Sequence, residues 1–372
     1  MVDVFEVANI LVENIKKKYR DDIALVAYYG SYAQGRATTL SDLDMFFIPS
    51  TKKGFAASFQ FILDGIGYDL FPISWDRALR MASFDESTVS VIANSKILYV
   101  KSEEDLSRFN QLKNKISSME KTESKKLMIE KASNKLNECY IHLYKMNMPE
   151  TRDNLSAIRN EAYGTITKIF ESLALINQTY LKRWWGASLE QIYTFRIKPH
   201  NLEELIKTII RSQSCEKIIR TCDELFNKVR LLLIVEQKNI VQVPIFSSFF
   251  NGFYEEEKSI FNKIISACDR EDYEGAFFAT IHIQNELMNF FNYAKTGVWY
   301  NNLHSYDMLN MEYQQLGLPE LISIVQSGNL KLLKKTVIEL DRILKSLLKS
   351  RGVNLKIFDT LEEFRIYIED ES

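Results

Sequence analysis

Gly30 and Ser31, followed after a polar spacer by Asp42 and Asp44, are the residues of this 372-residue chain best placed to do chemistry. Glycine lets a backbone close on a ligand because it has no Cβ. Ser31 adds a hydroxyl and a backbone N–H. A short helical turn over residues 32–35 would aim unpaired N–H groups at an anion such as a triphosphate. Asp42 and Asp44 stand two apart, so on a strand their side chains leave the same face. Neighbouring carboxylates repel unless a cation joins them, and hard oxygen donors of this kind suit Mg²⁺ bound together with phosphates. A phosphate cradle beside a carboxylate pair points to phosphoryl or nucleotidyl transfer. Alone, Gly-Ser is a turn and Asp-x-Asp an ordinary strand edge; their order between two apolar runs carries the signal.

Those runs are the elements that must position the site. Residues 23–29 form an unbroken apolar and aromatic stretch, as a buried strand does, and residues 45–48 form a second. Ahead of them, Phe5, Val7, Leu11, Val12 and Ile15 recur at helical spacing, and Lys16, Lys17 and Lys18 suit a helix C-terminus. Residues 52–65 read as a helix closed by Gly65-Ile66-Gly67. Residues 68–75 are a third apolar run that contains one acid, Asp69, on a strand expected beside the Asp42/Asp44 strand. A charge in an apolar strand is costly unless paired or on metal. Pro72 predicts that this strand lies at an edge or ends soon after Asp69. Short apolar runs at 88–93 and 97–100 complete a small α/β domain by about residue 103.

The Gly-Ser, spacer, Asp-x-Asp pattern resembles the signature of the DNA polymerase β-like nucleotidyltransferase superfamily. Residues 18–51 look specifically like the amino-terminal part of the kanamycin (aminoglycoside) nucleotidyltransferases. The Gly-Ser-Tyr-Ala-Gln-Gly-Arg-Ala form of residues 30–37 also looks like the minimal nucleotidyltransferases of toxin–antitoxin pairs. Asp42-Leu43-Asp44 departs from the Asp-x-Glu of the kanamycin group but keeps its charge. The resemblance implies Mg²⁺ on Asp42, Asp44 and Asp69, with the triphosphate of an NTP, ATP foremost, at Gly30, Ser31, Arg36 and Ser41. It also implies a glutamate of the helical region as general base, for which Glu138 and Glu161 both fit, Glu138 slightly better. The acceptor would be a hydroxyl of a small molecule of aminoglycoside type, with pyrophosphate released. The toxin–antitoxin likeness makes AMPylation of a protein the alternative.

Composition sets the frame. Hydrophobic residues make up 46% and charged residues 26%, and the 13 glycines and 6 prolines are few enough for long helices over much of the chain. A formal charge of −2 supplies no basic field for nucleic acid. Cys139, Cys215, Cys222 and Cys268 are scattered, without the spacing of a zinc site or a disulfide framework. No apolar run reaches transmembrane length, residues 1–6 are not those of a signal peptide, and the expected setting is the cytoplasm.

The expected architecture is an α/β nucleotidyltransferase domain, a small mixed sheet with helices, at 1–103, then an all-α region in two bundle units, 104–240 and 241–372. Monomer and homodimer both remain open. Met128, Ala132, Leu136, Cys139, Tyr140 and Leu143 form one helical stripe; Pro149 breaks it; Thr151 or Asp153 would cap a helix reaching residue 185. The second unit repeats the first at an offset near 115, with Asn201-Leu-Glu-Glu-Leu-Ile against Gly317-Leu-Pro-Glu-Leu-Ile, Asn177 against Asn292, and Trp184 against Trp299. Tyr163, Tyr180, Trp184 and Trp185 are candidates to line an acceptor pocket. The acidic clusters at 255–257 and 269–274 are the candidates to attract a cationic acceptor.

Overall fold

A computed structural model describes residues 2–183, 185–299 and 301–370. Helix α1 (Val4–Lys18) starts at Asp3, whose side chain accepts from the Phe5 N–H at 2.9 Å. It buries Val4, Val7, Leu11 and Ile15 against a five-stranded sheet. Strand β1 (Ile23–Tyr28) is buried from its first residue to Ala27, as a continuous apolar run requires of an interior strand. The chain then turns through the short helix α2 (Gly30–Ala33) and returns in β2 (Asp44–Pro49).

The helix expected over 52–65 is absent. A 3₁₀ turn over Lys52–Ala57 leads instead into β3 (Phe59–Leu63), which pairs antiparallel with β4 (Ile66–Pro72). The connecting Asp64 and Gly65 have φ of 52° and 77°, the conformation of a two-residue hairpin turn in which Asp-Gly is favoured. A left-handed glycine ends helices and makes hairpins alike, and here it makes the hairpin.

The sheet order is β3-β4-β2-β1-β5, where β5 is Lys96–Val100. β2 and β4 run parallel and the other pairs antiparallel, giving the mixed sheet. β4 is thus interior, and of the two outcomes expected from Pro72 it takes the second, ending at that proline soon after Asp69. Between β4 and β5 lie α3 (Trp75–Ala82) and α4 (Val89–Ala93).

The helical region opens with α5 (Glu103–Met119), α6 (Lys125–Asn137), α7 (Cys139–Met146) and α8 (Pro149–Arg152). Next, α9 (Leu155–Ile176) is capped by Asn154, not by Thr151 or Asp153: its side-chain oxygen accepts from Ser156 N at 3.1 Å and Ala157 N at 3.2 Å. It also ends well before residue 185. Asn177 holds the Ile197 backbone through both its amide nitrogen (2.8 Å) and its oxygen (2.9 Å). Gln178 then leaves at a φ of 51°. Replacing Asn154 by Ala is expected to cost about 1 kcal/mol, read from the denaturation midpoint; no shift would mean the cap contributes nothing. The region continues through α10 (Leu189–Tyr193), α11 (Leu202–Arg211) and α12 (Cys215–Lys238).

The chain divides into two compact units, 1–236 and 237–372. The second contains α13 (Phe246–Phe249), α14 (Phe253–Asp269), α15 (Tyr273–Thr296), α16 (Tyr306–Gln315), α17 (Ile322–Gln326), α18 (Leu330–Ser350) and α19 (Leu361–Asp370). Its core gathers Phe250, Phe261, Ile264, Leu287 and Leu340. Gln284, fully buried on α15, accepts from Leu321 N and Ile322 N and so holds the start of α17. Element order echoes the first unit: α12 begins at residue 215 and α18 at 330, an offset of 115. Asn292 donates to the Val298 carbonyl as Asn177 does to that of Ile197. Trp184, the partner of Trp299 in the expected repeat, lies outside the described residues. Among the described residues no helix is long and apolar enough to cross a membrane.

Candidate active site

The site forms where β1 ends and β2 begins, on either side of the α2 turn, with β4 beside β2. Asp44 is the first residue of β2 and stands in register with Asp69 on the parallel neighbour β4. Asp42 lies in the loop before the strand rather than on it, exposed, with Leu43 fully buried between the two acids. Burial, and then the charges of Asp42 and Asp69, push the Asp44 carboxyl up to about 6. Tyr29 reports the same convergence. Burial raises its phenol most, and Asp44, Asp69 and Asp42 add to it, while Arg77 opposes them. Asp69 is steadied from the edge strand by Gln60, whose Nε2 donates to its Oδ1 at 2.8 Å.

Gly30 is fixed by this arrangement. Its φ is +75°, and a Cβ there would stand 2.3 Å from Asp44 Oδ2. The α2 backbone therefore starts directly against the carboxylate, and the N–H groups of its first turn have no partner within the helix. Ser31 lies in that turn, its carbonyl accepting from Arg36 N at 3.0 Å. The other two expected nucleotide contacts point elsewhere. Arg36 is exposed, with Nη1 3.8 Å from Glu190 Oε2. The Ser41 hydroxyl accepts from Thr38 N at 2.9 Å, closing its own loop.

Among the described residues, no group of three or more His, Cys, Asp or Glu side chains is gathered closely enough to hold a metal ion by itself. Mg²⁺ needs less: it keeps several waters and takes one or two carboxylates plus substrate phosphates. Asp44 and Asp69 in register, with mutual repulsion that a cation would relieve, fit that demand.

Both candidate bases lie on the helical region. Glu138, at the junction of α6 and α7, takes Lys135 at 2.9 Å and Lys168 at 2.7 Å. Burial works to raise its pKa, but the two lysines outweigh it and hold the carboxyl low. Glu161 on α9 meets His142 Nδ1 at 2.7 Å, and that bond, against a smaller burial effect, lowers its pKa. Gly164 leaves room for the imidazole, since a Cβ there would sit 2.4 Å from His142 Cε1. Lys135, the partner of Glu138, lines a small cavity together with Glu86, and Glu86 pairs with Arg77 at 3.1 Å.

Arg77, Lys135, Lys168 and the buried Glu171 were not legible as site residues. Each reads as a routine helix charge, because its partners come from another element. Tyr163 lines a cavity on the other face of α9, and Tyr180 packs edge-on to Phe84. The Trp185 side chain, like all of Trp184, lies outside the described residues. In the second unit, Glu257 of the 255–257 cluster is buried rather than presented to a ligand.

Comparison with known proteins bears on this assembly. Residues 106–238 match the family model of the KNTase C-terminal domain. No match is found among curated proteins. One similar solved structure is a nucleotidyltransferase-like protein from Exiguobacterium sibiricum, with 8% identity and a TM-score of 0.36, covering 62% of this chain and 77% of that one. That likeness carries no assignment. The match over residues 106–238 supports a relationship between this chain and the nucleotidyltransferases.

Proposed function

We propose that the protein is a Mg²⁺-dependent enzyme that moves a nucleoside monophosphate from an NTP, ATP foremost, to a hydroxyl of a small molecule. The observation that carries this reading is the register of Asp44 with Asp69 beside a glycine backbone that Asp44 itself keeps free of a Cβ. The α2 turn, with Gly30 and Ser31, receives the phosphates. Asp44 and Asp69 would hold Mg²⁺, which supplies neutralisation of phosphate charge, and Asp42 adds its negative charge beside them. The acceptor oxygen bonds to the α-phosphorus, the bond to the β-phosphate oxygen breaks, pyrophosphate leaves, and a glutamate takes the hydroxyl proton. We assign that glutamate to Glu138, the slightly better fit of the two in the sequence.

Glu138→Gln is expected to lower kcat by about 100-fold, while Glu161→Gln changes it less than about fivefold. The reverse order would move the base to Glu161. The reaction itself is tested by incubating the protein with Mg²⁺ and each NTP against a panel of aminoglycosides and lincosamides. The intact mass of every small molecule and of the protein is then read. A nucleotide adduct on one antibiotic establishes the reading. An adduct on polypeptide alone replaces it with protein AMPylation, the reading that the form of residues 30–37 favours.

A further inference from the structure

Helix α9 has two working faces. Glu161, Lys168 and Glu171 face α6 and α7. On the opposite face, Ala162, Tyr163, Ile166 and Phe170 line a cavity of about 310 Å³, closed by Ile206, Ile209 and Ile210 of α11 and by Leu181 and Leu189. Its size is at the lower end of small-molecule sites, about 300–1,000 Å³, and its walls have their character: mostly apolar, with a few polar groups. Those are Arg159, Thr167, Ser188 and the Tyr163 ring. Among the described lining residues Arg159 is the only charged one, and no carboxylate lines the cavity.

The segment that walls it is also tied to the phosphate-side loop. Gln34 Nε2 donates to the Lys182 carbonyl at 2.9 Å, and Arg36 approaches Glu190. Both tether points sit beside lining residues, Leu181 and Leu189.

We propose that this cavity is a binding site for a small molecule with an apolar body and an anionic head, the body between α9 and α11 and the head at Arg159. Burial of an apolar body supplies the affinity, and a guanidinium at the rim selects an anion over a cation. Neither Glu138 nor Glu161 faces it, so the site goes beyond the acceptor reading and does not rest on it.

The test is calorimetric titration of the full chain with 8-anilinonaphthalene-1-sulfonate, an apolar anion, and with dansylcadaverine, an apolar cation. The wild type is expected to bind the anion at least tenfold more tightly than the cation, and kanamycin, a polycation, is expected not to displace it. Arg159→Glu, a change at an exposed position, is expected to reverse the preference. Ile210→Trp, at the partly open wall (56% exposed), is expected to weaken both probes at least tenfold. Thermal midpoints of the variants are read alongside to establish that both fold. Folded variants that bind both probes as the wild type does would overturn the proposal, as would a wild type that binds neither.

Discussion

Asp44→Asn is expected to abolish nucleotidyl transfer, by about 1,000-fold or more, and at the same time to stabilise the metal-free protein at neutral pH. The two effects have one cause. In the folded chain the Asp44 carboxyl rises from 3.8 to about 6, through burial first and then through Asp42 and Asp69. Its raised folded pKa gives a contribution to stability that is complete below pH 3.8 and is lost as pH rises through about 6. Above that, folding must keep a charge where charge is unwelcome. A shift of this size corresponds to about 1–3 kcal/mol. The midpoint difference between Asn variant and wild type, in chelator, should therefore grow between pH 4 and 6.5 and then level. Saturating Mg²⁺ with NTP should reverse the order, because ligands that bind only the folded wild type stabilise it by mass action. A variant with full activity, or with no pH-dependent difference, would remove Asp44 from the centre of the site.

Gly30→Ala is expected to cost about 1–2 kcal/mol for the left-handed backbone alone, and more because the new methyl meets Asp44 Oδ2 at 2.3 Å. Either the α2 turn or the carboxylate must move. Misplacement of about 1 Å costs on the order of 100-fold in rate. Gly35→Ala is the control. Its φ is +69°, but nothing lies within 4 Å of a Cβ there. It should share the backbone cost and keep most of its activity. Equal losses of transfer in the two variants, at matched stability, would show that closeness to Asp44 is not what Gly30 provides.

The parts of the fold read well from sequence are those where one stretch of chain decides the outcome. The strands at 23–28 and 44–49 are apolar runs too short for helices, and Asp69 stood out as the lone acid in a third. Residues 52–65 were misread because Gly65 suits both a helix end and a hairpin turn, while β3 pairs along only five residues. The end of α9 depended on Asn177 reaching Ile197, twenty residues on, which local spacing does not encode. The same limit applies at the site. Gly30, Asp44 and Asp69 could be named, but the lysines around Glu138 and the histidine on Glu161 come from neighbouring helices. The apolar face of α9 toward α11 carries the periodicity of ordinary core, so the sequence held no sign that it lines a cavity.

The most direct test of the account is equilibrium binding of ATP to the wild type and to Asp44→Asn, with and without Mg²⁺. Wild-type affinity should rise at least tenfold on adding Mg²⁺, and that gain should vanish in the variant, which keeps only the contribution of the α2 backbone. Binding that is equally tight in both proteins, and indifferent to Mg²⁺, would contradict the assignment of these carboxylates to a metal-assisted nucleotide site.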